Sequence, residues 1–204
     1  MTAATLYQVT LPVPGLVIPD DPEFQEAIKI GKERFASIGC STCHVPSLPL
    51  DNRGWMFSEP NPYNPKNNLR PGDAPLLTVD LCSKELPSPR LKPKNGIVMV
   101  AAYTDFKLHD ITSGSNDPNR EPLDMNQKHG SADFFAGNGK FLTRKLWGIA
   151  NQHSFGHHGM YTTMREAVLA HDGEARQSRV AFQIPSDIAT RGKIAVCERE
   201  WPGY

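Results

Sequence analysis

Gly39-Cys40-Ser41-Thr42-Cys43-His44 is the stretch that decides how the rest of this chain is read. Two thiols three positions apart, followed at once by an imidazole, match the spacing at which a porphyrin takes up two thioether bonds and the imidazole comes to lie under the iron. A zinc half-site would want a second Cys/His pair at comparable spacing, and a thioredoxin-like dithiol would want a strand before it rather than a helix. Cys40 and Cys43 are therefore expected to hold one covalent haem c, with His44 as an axial ligand to its metal. The fold class expected around such a ring is mainly α, a cytochrome c-like haem domain with long proline-rich loops and little β.

Upstream of the motif, Asp21 is placed to cap a helix with Pro22 in its first position. Phe24, Ala27, Ile28, Phe35 and Ile38 then recur at helical spacing until Gly39 ends it, so the helix delivers the chain to Cys40. Leu6 to Gly15 is apolar and then broken by prolines, which reads as the tail of an earlier element; residues 1–19 are expected to be a linker from an upstream domain. Residues 20–204 are expected to be a single haem domain with a long loop insertion at about 46–96, because ten prolines fall between Pro46 and Pro93 and neither helix nor central strand persists through them. Ile97 to Tyr103 is a short apolar run that suits a strand or a buried extended segment. Phe134, Phe135, Phe141, Leu142, Leu146 and Trp147 are apolar anchors expected on short helices near the haem. Thr163-Met-Arg-Glu166 matches a capping box and opens a helix of about ten residues that Gly173 should close. A last helix is expected from Ser186 toward Glu200.

The 204 residues are 39% hydrophobic with 8% aromatics, while 18 prolines and a mean hydropathy of -0.44 point to much irregular chain. Lys plus Arg equals Asp plus Glu at 22 each, so no bulk charge favours nucleic acid or an anionic membrane. No apolar run reaches the roughly 18 residues that would span a bilayer, and Met1 to Tyr7 lacks the basic start and apolar core of a signal peptide. Only Cys82 and Cys197 remain outside the motif, either paired in an oxidising compartment or ordinary buried thiols.

An iron with one protein ligand keeps a reactive position, whereas a second His or Met ligand makes an electron carrier and sets its potential. The candidates for that second position are His109, His129, His153, His157, His158 and His171, with Met99, Met125, Met160 and Met164. His171 stands out because Met164, Val168 and His171 fall on one face of the capped helix. The competing reading is that His171 caps the helix C-terminus, where the dipole favours a cation.

The chain resembles the di-haem cytochrome c peroxidase superfamily, and within it the di-haem oxidoreductases often described as thiol oxidoreductases. The likeness is carried by Leu11-Pro-Val-Pro-Gly15, by Gly31-Lys-Glu-Arg-Phe35 leading into Gly39-Cys-Ser-Thr-Cys-His-Val-Pro46, and by Tyr103-Thr-Asp-Phe-Lys-Leu-His-Asp110. Leu146-Trp-Gly148, His157-His-Gly159 and Thr163-Met-Arg-Glu-Ala-Val168 complete it, in the order of the C-terminal haem domain. In the peroxidases that domain holds a high-potential haem whose distal Met follows a His-Asp-Gly motif at the end of the next helix. Laying His157-His158-Gly159 on that motif puts His171 at the Met position. The resemblance thus implies a bis-histidine haem with His44 and His171 as iron ligands, and a potential lowered by imidazole in place of thioether. Haem c attachment normally takes place outside the cytoplasm, so a periplasmic location is expected, and a calcium ion that helps join domains is left open.

This chain departs from the family in carrying one haem motif rather than two, and in its sequence beyond Arg179, where the apolar helix expected to close such a domain is missing. The favoured function is the electron-transfer haem domain of a peroxidase-like oxidoreductase, working with a small redox donor protein or a second haem domain and enzymatic only with that domain. The alternatives are a stand-alone electron-carrier cytochrome c with no catalysis, or an open iron that reacts with peroxide itself. His109 and His157 read as hydrogen-bonding residues of the pocket, Trp147 as core packing, and Arg144 or Lys145 as partners for haem propionates. No residue of the sequence identifies a thiol substrate.

Overall fold

The computed structural model describes residues 2–15, 17–51, 53–90, 92–152 and 154–183. Two compact units emerge, one from the residues up to Val17 together with Ser47–Ala101, the other from Ile18–Pro46 together with the chain from Ala102 onward.

In the first unit, helix α1 (Thr2–Thr10) accompanies two antiparallel ribbons. Strand β1 (Leu48–Asp51) pairs with β4 (Ile97–Val100), Leu48 opposite Val100, and β2 (Met56–Glu59) pairs with β3 (Leu77–Asp80). Each ribbon has two strands only, so every strand is an edge, and an edge tolerates Pro49, which has no amide hydrogen to give. The apolar core of this unit is Trp55 and Val98. Beside it Glu59, 1% exposed, has its carboxylate satisfied by the side-chain amides of Asn61 at 2.6 Å and Asn64 at 2.9 Å. The Arg90 guanidinium donates to the carbonyls of Val9 and Leu11, closing the C-terminal end of α1, where acceptors are left over.

The second unit opens with α2 (Pro22–Ser37), and its start follows the sequence. Asp21 accepts from the amides of Glu23 and Phe24 while Pro22 takes the first helical position. Gly39, at φ 89°, turns the chain out of the helix, and a Cβ there would lie 2.9 Å from the Ser178 hydroxyl. Helix α3 (Ala132–Phe135) buries Phe134, and strands β5 (Leu108–Asp110) and β6 (Lys140–Leu142) pair with His109 opposite Phe141. Helix α4 (Met164–Leu169) carries the complete capping box, with Thr163 accepting from the Glu166 amide and Glu166 accepting from the Thr163 amide. Removing the Thr163 hydroxyl in Thr163→Ala should cost about 1 kcal/mol, measurable as a lowered urea midpoint. Helix α5 (Arg176–Gln183) ends the described chain.

The expectation of a mainly α protein with little β is corrected here. Of the described residues, helices take 31% and strands 16%, with three small antiparallel sheets, so the class is mixed α/β. The proline-rich stretch does not stay unpaired, because Gly and Pro turns bring short apolar runs back onto each other as ribbons. Likewise Phe141 and Leu142, expected on a short helix, lie in β6. The helix from Thr163 is six residues long rather than about ten, and Gly173 belongs to a separate 3-10 turn after it. Helix α5 had no counterpart in the sequence reading, and the helix expected from Ser186 lies outside the described residues.

Candidate functional site

Cys40–Thr42 forms a 3-10 turn directly after α2. Side chains three apart eclipse in such a turn, which stacks Cys40 and Cys43 on one side of it. The turn is tied by the amide of His44 to the carbonyl of Cys40 at 3.0 Å and by the Thr42 hydroxyl to the carbonyl of Gly39 at 2.8 Å. Both cysteines are free thiols, and burial pushes the Cys40 thiol up, with the neighbouring Cys43 adding to the shift.

His44 follows on a fixed axis. Its Nδ1 lies 3.0 Å from the carbonyl of Tyr103, and the hydrogen on that nitrogen donates to the oxygen; the Arg144 carbonyl is a second main-chain acceptor beside the ring. Burial lowers the affinity of this imidazole for a second proton, the Tyr103 carbonyl opposes that, and a charge on His171 lowers it further. His44 is therefore held neutral, the form that binds a metal. Tyr103 presents its carbonyl from the left-handed region at φ 53°, a conformation that costs a bulky residue energy and persists only where its surroundings enforce it. Three contacts do so. The Tyr103 ring meets Phe35 of α2 edge-on at 5.7 Å, the Thr104 amide donates to the carbonyl of Val45 at 3.1 Å, and the wholly buried Thr104 hydroxyl donates to the carbonyl of Thr143 at 2.6 Å.

His171 stands just past α4, and its Nδ1 is 2.7 Å from the carbonyl of Ala167. This is the helix-capping contact weighed for it from sequence, and it commits the Nδ1 hydrogen, as the Tyr103 carbonyl commits that of His44. A charge on His171 lowers the proton affinity of His44, which puts the two imidazoles within electrostatic reach of each other. The loop that follows is pressed against β5. The Asp172 amide donates to the carbonyl of Ile111 at 2.9 Å, and a Cβ on Gly173 would come within 2.5 Å of the Asp110 carbonyl. Arg179 of α5 holds Asp172 from the other side at 3.0 Å.

A family model described as "Di-haem oxidoreductase, putative peroxidase" matches residues 93–196. The chain belongs to this family. No curated protein and no solved structure matches it. The match begins downstream of Cys40 to His44, so the thiol-imidazole motif and the di-haem oxidoreductase match are separate observations that point to the same cofactor.

The residues present fit a haem of this family. Two thiols on one turn and an imidazole directly after them are the groups that covalent attachment and iron ligation need. The apolar side chains buried in this unit, among the described residues, are only Ala27, Ala102 and Phe134, while Phe106, Leu108 and Leu142 stand more than half exposed. A porphyrin held here would supply the apolar surface that such a sparse core lacks. For calcium there is no comparable support: among the described residues no group of three His, Cys, Asp or Glu could hold a metal ion.

Other candidate ligands are engaged elsewhere. His109 uses both ring nitrogens, Nε2 against Asp105 and Nδ1 against Glu174, each at 2.8 Å, so neither is free for iron. His157 pairs with Glu121 at 2.8 Å and His158 packs edge-on against His157. His129 packs against Phe134, and Met99, Met125 and Met160 are exposed. His153 and Cys197 lie outside the described residues, and Cys82 is exposed. Lys145 sits over the Trp147 ring, 5.4 Å from its centroid.

Sequence reasoning gave no role to Tyr103, Thr104, Asp105 or Glu174. The carbonyl contribution of Tyr103 has no signature in a side chain. For Asp105 burial raises the proton affinity, but hydrogen bonds from His109, the Lys107 amide and Thr143 outweigh it and bring the carboxyl from 3.8 to about 2. Because the folded value is depressed, the stability this carboxylate contributes is present above 3.8 and is lost as pH falls toward 2. Urea midpoints measured over that interval should fall with acid, and less steeply in Asp105→Asn.

Proposed function

We propose that this chain is an electron-transfer haem domain of a di-haem oxidoreductase, carrying one haem c through Cys40 and Cys43 with His44 and His171 as the two axial ligands. Such a group supplies reversible one-electron chemistry at its iron. The observation that carries the reading is the matched orientation of the two imidazoles: each has its Nδ1 hydrogen committed to a main-chain carbonyl, and the two are within electrostatic reach. The residues around them fix orientation. The Tyr103 carbonyl and the end of α4 hold the rings, which limits the rearrangement that a change of charge would demand.

Two imidazoles leave no open coordination position, which favours electron transfer over direct reaction with peroxide at this site. The natural partners are a small redox donor protein and a second haem domain, and oxidoreductase activity then belongs to the pair. A single Cys-X-X-Cys-His motif in the sequence supports a second reading, an electron carrier without catalysis. Thioether attachment is chemistry of compartments outside the cytoplasm, which supports a periplasmic location. Among the described residues no helix is long and apolar enough to cross a membrane.

The test is optical. The matured protein should keep its pigment in acidified organic solvent and show six-coordinate, low-spin absorption that peroxide, cyanide and carbon monoxide leave unchanged. His171→Ala should convert it to a high-spin form that binds those ligands. An unaltered spectrum in that variant would remove His171 from the iron, and a colourless protein would end the haem reading altogether. Turnover with a reduced donor, with and without an added second haem domain, separates the oxidoreductase from the carrier.

A further inference from the structure

Asp105, His109 and Glu174 form a chain of three titratable groups that the haem reading does not use. The imidazole on β5 has Nε2 2.8 Å from Asp105 and Nδ1 2.8 Å from Glu174. Each of those contacts needs a hydrogen between nitrogen and oxygen, and a neutral imidazole owns only one. With two hydrogens the group is bonded at both ends and carries one net negative charge. With one, a nitrogen lone pair faces a carboxylate oxygen at 2.8 Å and the net charge is two.

The group also runs from solvent inward. The Glu174 side chain is 52% exposed, while those of His109 and Asp105 are 17% and 8% exposed. At its inner end Asp105 is within electrostatic reach of His44. At its outer end Lys140 of β6 acts on Glu174, whose other oxygen accepts from the Asp110 amide at 3.0 Å. Phe141 stands opposite His109 in the ribbon, and Asp105 is held by the Lys107 amide and by Thr143. Among the described residues the charged or titratable neighbours include Lys140 and Asp110 at the outer end and His44 at the inner end.

We propose that Asp105, His109 and Glu174 together are a redox-linked proton site, which takes one proton from water when the protein accepts one electron from its donor and returns it when that electron leaves. The inference rests on the haem reading above. Electron and proton stay in separate places, the electron on the iron and the proton on the His109 bridge, and no other bond forms or breaks. The addition of a negative charge beside His44 is felt at Asp105, and the reduced protein holds the second hydrogen of the bridge more tightly. By linkage the midpoint potential then falls as pH rises, over the interval between the proton affinities of the oxidised and reduced forms. Both carboxylates raise the proton affinity of His109, Glu174 more than Asp105, which moves that interval upward from the ordinary histidine value.

The experiment is a spectroelectrochemical titration of the matured full chain at a series of pH values, for the natural protein, His109→Gln and Glu174→Gln. The natural protein should show a potential that falls with pH across neutrality and above. His109→Gln should be level over the same range. Glu174→Gln keeps an oxygen and an amide in the same place while removing one charge, and should move the sloping interval to lower pH; this arm remains informative if His109→Gln fails to fold. A level potential in the natural protein with an intact low-spin spectrum overturns the proton site and leaves the haem reading standing. So does an unchanged slope in both variants. A protein without covalent pigment overturns both.

Discussion

Gly173→Ala should unfold at a markedly lower urea concentration and should lose low-spin character in whatever fraction remains folded. The backbone at this position is left-handed, φ 52°, which costs an alanine about 1–2 kcal/mol. The added methyl carbon would also sit 2.5 Å from the Asp110 carbonyl oxygen, at the end of the paired strand β5, and 3.0 Å from that of Thr112 just beyond it, both main-chain atoms with little room to withdraw. Together these place the loss at roughly 2–5 kcal/mol. The relief open to the chain is to lift the loop away from β5, and His171 stands two residues upstream. A stability change without any spectral change would separate the loop from the iron and argue against His171 as ligand.

Thr104→Val should be nearly as damaging, although the two side chains have almost the same shape. Thr104 is fully buried; its hydroxyl donates to the Thr143 carbonyl at 2.6 Å and accepts from the Phe106 amide at 3.0 Å. Valine leaves that carbonyl and that amide without their partner, at about 1–3 kcal/mol each. Thr104→Ser keeps both bonds and gives up only a methyl group, so it should lose about 1 kcal/mol. If the two variants melt together, the hydroxyl has no such role and the segment that aims Tyr103 is held by its other contacts.

What could be read from residues alone divides along a physical line. The start of α2 was legible because Asp21 and Pro22 act on amides two or three positions away, and the box at Thr163 and Glu166 was legible for the same reason. Local chemistry leaves local signatures. The class was misjudged because pairing between Leu48 and Val100, or Leu108 and Leu142, joins segments far apart in sequence, and short apolar runs carry no sign of their partner. Of the proposed site, the two cysteines and His44 stand out through their spacing, and His171 through its place after a capped helix. The bridge from Asp105 through His109 to Glu174 did not, because its outer carboxylate arrives from 65 residues away.

That His44 is aimed by a main-chain oxygen has a consequence for mutagenesis. Whatever side chain occupies position 103, the acceptor stays in the polymer, so scanning that residue would report on its packing with Phe35 and leave the imidazole's own bond in place. Glycine is the instructive exchange: it adopts the same backbone without strain, and a Tyr103→Gly protein that keeps its spectrum while changing its melting behaviour would divide the tyrosine's two duties between its ring and its carbonyl.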